Sequence, residues 1–202
     1  MTKIAVFISG RGSNFTALYE NIKKGNIKNA EISVVFSNKE DAKGLEYAKK
    51  ENIPYICIPS KDYKNRQEYD RLIVQSLRPY NIDLICLAGY MRIVTEELIN
   101  EYENKIINIH PALLPSFKGL HAQQQALEYG VKFSGCTVHF VDGGMDSGAI
   151  ILQKVVPVYD NDTEETLSAR ILEQEHIAYS EAVAKIAEGK VTVKGRKVSI
   201  KE

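Results

Sequence analysis

Neither sign of charge is in surplus: 26 Lys and Arg face 26 Asp and Glu, and the formal net charge is zero. A chain so balanced has no cationic excess to hold a phosphate backbone, which disfavours nucleic acid as a partner. Long apolar runs are missing too. The longest, residues 84–91, is far short of the roughly 20 that span a bilayer, and residues 4–8 are fewer than the ~7–15 of a secretion-signal core. The expected location is the cytoplasm, with no membrane partner. Cysteine is scarce. Cys57, Cys86 and Cys136 lie far apart in apolar stretches, with no CxxC pair for zinc or dithiol chemistry. All three are expected to be reduced and buried, and no metal is expected. No repeat, low-complexity segment or linker rich in Pro, Gly or Ser interrupts the chain. At about 150 residues per domain, its 202 residues suit one domain over 1–202.

Hydrophobic residues make up 44% of the chain, enough for a sizeable core. Up to about residue 110, short β-rich runs at 4–8, 32–36, 55–58, 84–87 and 106–109 alternate with helix-period segments. Phe15, Leu18 and Ile22 recur at helical spacing after Asn14, with Gly25 as the stop. Asn65 and Glu68 predict a capping box, which puts Arg66 in the first turn of a helix ending before Pro79. Further on, residues 136–141 and 149–156 read as strands joined by a Gly-rich loop at 142–148. Asp162 and Glu165 predict a second capping box. The long helix it opens carries Leu167, Ile171, Tyr179, Val183 and Ile186 as its inner stripe, and residues 191–200 read as a hairpin. The expected fold is α/β: a Rossmann-like, mostly parallel sheet with helices on both faces.

Ser9-Gly10-Arg11-Gly12-Ser13-Asn14 follows the first strand and opens the first helix, so backbone N–H groups and the helix's positive end form an anion site. A dinucleotide loop needs a third glycine where Phe15 stands, and an acidic residue where the second strand ends in Ser37-Asn38. No Gly-Lys-Ser/Thr closes a Walker loop either. A monophosphate fits better. The same glycines equally suit a plain tight turn, with Ser13 or Asn14 capping the helix.

Asn108 and His110 alternate with Ile107 and Ile109, so both point to one face at the end of a strand that Pro111 stops. Ligands of open parallel sheets bind outside the carboxyl ends of strands, where the first loop and residues 89–94 also emerge. Taken singly, His110 suits a structural histidine and Asn108 a turn cap. Asp146, in the Gly-rich loop, reads either as a solvated turn residue or as a carboxylate that stabilises the charged form of His110. An amide for an oxyanion, a histidine and a carboxylate suit acyl transfer through a tetrahedral intermediate, with no serine or cysteine nucleophile beside them. The acceptor is then a group on a second substrate, such as an amine. His139 and His176 read as packing or surface residues and His121 stays open. Glu175 puts a carboxylate on the apolar stripe of the long helix, where it needs a hydrogen-bond donor from a ligand or from the protein.

Four segments together carry a resemblance: Ser9-Gly10-x-Gly12-Ser13-Asn14, residues 87–92, Asn108-Ile109-His110-Pro111-Ala112-Leu113-Leu114-Pro115, and Asp146-x-Gly148 before Ile151-x-Gln153. Over residues 3–190 the chain resembles the folate-dependent phosphoribosylglycinamide formyltransferases. The resemblance implies the formyltransferase fold, with a phosphate-binding half over 1–100 and a catalytic and folate-binding half over 101–202. It implies formyl transfer from the co-substrate 10-formyltetrahydrofolate to the amine of glycinamide ribonucleotide, in purine synthesis, without a metal. Both substrates are small molecules, and the protein is expected as a monomer or weak homodimer.

By the same resemblance, Gly12, Ser13 and Asn14 hold the phosphate, and Leu172, Glu173, Gln174 and Glu175 border the ribose. Arg66, Met91, Arg92, Ile93, Val94, Asn108, Asp142, Gly143, Gly144, Met145 and Asp146 bind the folate. Asn108 holds the oxyanion, His110 is the general acid, and Asp146 orients His110 and raises its pKa. A cis Leu114-Pro115 bond is implied as well. Two residues depart from the family: Lys118 stands where proline is frequent, and Leu172 where a polar side chain is. The alternatives are a formyltetrahydrofolate hydrolase, methionyl-tRNA formyltransferase and a noncatalytic phosphosugar-binding module. The hydrolases carry an added amino-terminal domain, whereas the first strand here is expected almost directly after Met1.

Overall fold

Along β1 (Thr2–Ile8), side chains alternate between two separate cores: Ile4, Val6 and Ile8 join one, Ala5 and Phe7 the other. That is the mark of a central strand covered on both faces. The computed structural model describes residues 1–201; Glu202, the last residue of the expected domain, lies outside the described residues. β1 is followed by α1 (Ser13–Lys23), β2 (Ala30–Ser37), α2 (Lys43–Lys50), β3 (Tyr55–Cys57), α3 (Arg66–Leu77), β4 (Leu84–Leu87), α4 (Glu96–Glu101) and β5 (Ile106–His110). Then come α5 (Ala122–Tyr129), β6 (Phe133–Phe140), β7 (Ile150–Pro157), α6 (Glu164–Ala187), β8 (Val191–Lys194) and β9 (Lys197–Ile200). One sheet runs β3-β2-β1-β4-β5-β6-β7, parallel through β5 and antiparallel beyond it; β8 and β9 form the expected hairpin. Side chains of α1, α2 and α6 cover one face, and those of α3 and α4 the other.

The α/β expectation holds, and the differences have local causes. The sequence did not signal α2, α4 or α5, because they are short and bury few side chains: Leu45 and Ala48 in α2, Leu98 in α4, Ala122 and Ala126 in α5. Neither Ser13 nor Asn14 caps α1. Gly12 holds that position at a left-handed φ of 74°, with no side chain over the helix's first N–H groups. Asn65 does cap α3, its Oδ1 accepting from the N–H groups of Gln67 (2.9 Å) and Glu68 (3.3 Å). In α6 the capping box is shifted by one residue, to Thr163 and Thr166. Arg170 draws Asp162 aside with a two-pronged contact at 2.8 Å, which holds that carboxyl well below the usual range. Cys57, expected buried, is half-buried, because β3 is an edge strand.

Strand order turns back between β1 and β4, so the loops leaving these neighbours diverge and open a crevice at the carboxyl edge. Ser9 closes its floor: its N–H donates to the Gly89 carbonyl at 3.1 Å and its Oγ accepts from Met91 N at 2.8 Å. From beneath, fully buried Tyr179 on α6 donates its hydroxyl to the Leu87 carbonyl at 2.9 Å, with the Ile107 carbonyl 3.2 Å away. A helix therefore ties the ends of β4 and β5 together. Both carbonyls keep their ladder partners without the hydroxyl, so Tyr179→Phe removes only the added bond and should lower stability by about 0.5–1.5 kcal/mol in urea denaturation.

Candidate active site

A cavity of about 660 Å³ opens beyond β4 and β5. The crevice end is lined by Arg66, Met91, Arg92, Ile93 and Val94, the far side by Asp142, Gly144, Met145 and Asp146, and the base by Asn108, His110 and His139. Met91, Ile93, Leu120 and Met145 are exposed apolar side chains around its mouth, suited to a flat, largely apolar ligand. Every folate-side residue expected from the sequence lines it except Gly143, and both halves of the chain contribute. The segment 119–123 lines it too, which resolves His121 as a cavity residue.

His139, expected as a packing or surface residue, is buried and in addition lines the cavity. The reason is register. Antiparallel pairing sets His139 opposite Asn108 on the same face. Its Nδ1–H donates to the Phe140 carbonyl at 2.7 Å, which leaves the Nε2 lone pair to accept from Asn108 Nδ2 at 3.3 Å. Burial holds the His139 pKa down against the pull of the Phe140 carbonyl and of Asp146, whose Oδ1 is 3.8 Å from Nε2. A neutral His139 thus fixes which way the Asn108 amide faces.

Asp146 is brought to His110, its Oδ2 3.4 Å from Nδ1, while Gly119 N–H donates to the same oxygen at 2.8 Å. On the other side of the ring, Nε2 lies 2.8 Å from the Phe117 carbonyl. Both nitrogens of His110 thus face oxygen acceptors. Leu114-Pro115 is cis, as expected. Thr137 and Gln153 hold that turn. Thr137 Oγ1 donates to the Ala112 carbonyl (2.7 Å) and accepts from Leu114 N (3.0 Å), and Gln153 Nε2 donates to the Leu114 carbonyl (3.0 Å).

Across the crevice, Gly12 packs against the start of α2; a Cβ added there would stand 3.1 Å from Gly44 Cα. Glu175 finds its donor in the protein: Asn14 Nδ2 donates to Glu175 Oε2 at 2.8 Å, joining α1 to α6. Asn14 Oδ1 is buried without a partner. Leu172 and Gln174 are half-buried and Glu173 is exposed, so of the four expected α6 residues only Glu175 is turned onto Asn14. His176 is half-buried beside them. Among the described residues no group of three or more His, Cys, Asp or Glu side chains is placed to hold a metal ion.

Burial raises the Glu175 pKa and the Asn14 amide partly offsets it. A carboxyl with a raised folded-state pKa gives its full stability below the unfolded value, and loses it as pH climbs through the folded one. Asn14→Ala should therefore destabilise by about 1–3 kcal/mol at pH 8 and by less at pH 5, closer to the range where the group takes up its proton. Urea titration at the two pH values checks this, and adding Glu175→Gln should abolish the pH dependence.

The formyl transferase family model matches residues 2–183. Phosphoribosylglycinamide formyltransferase of Bacillus subtilis is 42% identical over 92% of this chain and 95% of its own length. Trifunctional purine biosynthetic protein adenosine-3 of Chironomus tentans is 48% identical over 94% of the chain, which spans 14% of that longer protein. Among solved structures, glycinamide ribonucleotide transformylase 1 of Symbiobacterium toebii superposes with a TM-score of 0.97 at 46% identity, covering 100% of this chain and 95% of that one. With a family match over most of its length, on a sheet that places an amide, a histidine and a carboxylate in one cavity, the chain belongs to the formyl transferase family.

Proposed function

We propose that this protein transfers the formyl group of 10-formyltetrahydrofolate to the amine of glycinamide ribonucleotide, a step of purine biosynthesis. The observation that carries this reading is the convergence of Asn108, His110 and Asp146 at the base of a cavity with an apolar mouth, one crevice away from an anion loop. The ribonucleotide phosphate sits at Gly12, Ser13 and Asn14, on the uncapped end of α1, where free N–H groups and the helix dipole favour an anion. Glu175 and the unpartnered Asn14 Oδ1 take hydrogen bonds from the sugar and glycinamide portion. Leu172, Glu173 and Gln174 border the ribose, Leu172 through its backbone. The folate ring lies among Met91, Arg92, Ile93, Val94 and residues 142–146, with Arg66 at its acidic tail.

The amine lone pair forms a C–N bond to the formyl carbon, and the formyl oxygen takes the charge, which the Asn108 N–H not used by His139 stabilises. Collapse breaks the bond from the formyl carbon to the folate nitrogen. That nitrogen leaves with the proton His110 delivers, and the amine's surplus proton restores the ring through water. Asp146 holds His110 throughout. The protein acts on small molecules in the cytoplasm, as a monomer or weak homodimer.

Absorbance-followed release of the deformylated folate from 10-formyl-5,8-dideazafolate, with and without glycinamide ribonucleotide, tests the reading. Strict dependence on the ribonucleotide is expected, whereas release without it would identify a hydrolase. Asn108→Ala or His110→Ala should each cost on the order of 10² or more in kcat, and Asp146→Asn at least about tenfold at neutral pH, all three folding normally. Ser13→Asp should raise KM for the ribonucleotide about tenfold or more and leave that for the folate unchanged, because it puts a second anion at the phosphate loop.

A further inference from the structure

The β8–β9 hairpin lies beyond the residues that match the family model, 2–183, and no residue discussed above as binding or catalytic belongs to it. It is nonetheless firmly docked. β9 runs beside β7, and Val191, Val193 and Val198 rest against the larger core. Its turn carries Gly195 and then Arg196, whose Nη1 donates to the Ser147 carbonyl at 2.9 Å. Ser147 is the neighbour of Asp146, whose carboxylate faces His110.

From elsewhere the loop is reached at the Asp146 side chain, by the Gly119 N–H at 2.8 Å and the His110 ring at 3.4 Å. Residues 142–145 are exposed, and Asp146 holds a left-handed φ of 47°, a conformation unfavourable for a residue with a side chain. Asp142 Oδ1 accepts from Gly144 N (3.0 Å) and Ser147 Oγ (2.6 Å), but these bonds stay within the loop. At the carboxyl stem, Gly148 sits so close to the Phe140 carbonyl that a Cβ would collide with it. The stem is thus pinned to β6, the Asp146 side chain is held by Gly119 and His110, residues 142–145 are exposed, and the backbone next to Asp146 is gripped by one guanidinium.

We propose that Arg196 is a positioning residue. By holding the Ser147 carbonyl it keeps the 142–148 loop, and Asp146 with it, against His110 and against the bound folate. The kinetic consequence rests on the formyl-transfer reading above; the contact itself does not.

The test compares Arg196→Ala, Arg196→Lys and the hairpin control Lys197→Ala in the full chain, by amide hydrogen exchange and by steady-state kinetics with 10-formyl-5,8-dideazafolate. For Arg196→Ala, exchange across residues 142–148 should quicken and the folate KM should rise, each about three- to tenfold, with Tm and the ribonucleotide KM unchanged. Arg196→Lys should recover part of the loss, and Lys197→Ala should match the parent protein. Unchanged loop exchange and folate KM in Arg196→Ala would overturn the proposal, as would a lowered Tm with both KM values raised alike. Should the parent protein turn over no formyl folate, the activity reading fails on its own. Loop exchange then still decides: faster in Arg196→Ala, the brace stands; unchanged, it falls.

Discussion

Two polar side chains, Asn108 and His110, end a strand in the middle of a seven-stranded sheet, and the architecture around them follows from the need to answer them. A buried polar group left without a partner costs about 1–3 kcal/mol, a large share of what holds a domain together. Each partner comes from a different part of the chain. His139 on β6 answers the Asn108 amide, Asp146 and the Phe117 carbonyl flank the His110 ring, and Tyr179 on α6 reaches the carbonyls of the neighbouring backbone. The same bonds that stabilise the sheet's edge fix the orientation of Asn108 and His110 in the cavity.

The change from parallel to antiparallel pairing at β5 makes this possible. A parallel neighbour would be reached by a helix crossing the sheet, whereas the reversal places β6 directly alongside, with His139 and Thr137 facing Asn108 and His110. Thr137 then holds the turn at residues 112–114, and Gln153 on β7 supports Thr137 from the next strand with a 2.9 Å bond. Three strands in succession are committed to one site. Strands thus support the site from below while loops line its sides, the division of labour that catalytic geometry requires.

The first loop and the cavity wall are mechanically one. Ser9 belongs to the anion loop by sequence and to the cavity wall by its bonds to Gly89 and Met91, so a displacement at one is felt at the other. Asn14 and Glu175 tie the same loop to α6, the helix that carries Tyr179 beneath β4 and β5. Acyl transfer between two bound molecules depends on holding both reacting atoms in register, and this chain of contacts spans the distance.

Much of this was legible beforehand. Strand positions followed from β-rich runs, because a strand buried on both faces writes a continuous apolar stretch, and the long helix from its stripe. The motifs around Ser9, Asn108 and Asp146 carried the resemblance to the family. What the residues could not show was partnership between distant segments. His139 looked like any inward residue of an alternating strand, since only the register of β6 against β5 puts it opposite Asn108. Glu175 declared its need for a donor, but that the donor is Asn14 depends on how α1 and α6 pack. Arg196 had no signal at all, being an exposed arginine in a hairpin turn until the hairpin is laid beside β7. Local periodicity and motif spacing determined most of the elements and the family, because both are properties of neighbours along the chain. Which polar group answers which was decided only by the tertiary structure, because a hydrogen bond depends on distance in space and these partners are as far as 161 residues apart in sequence.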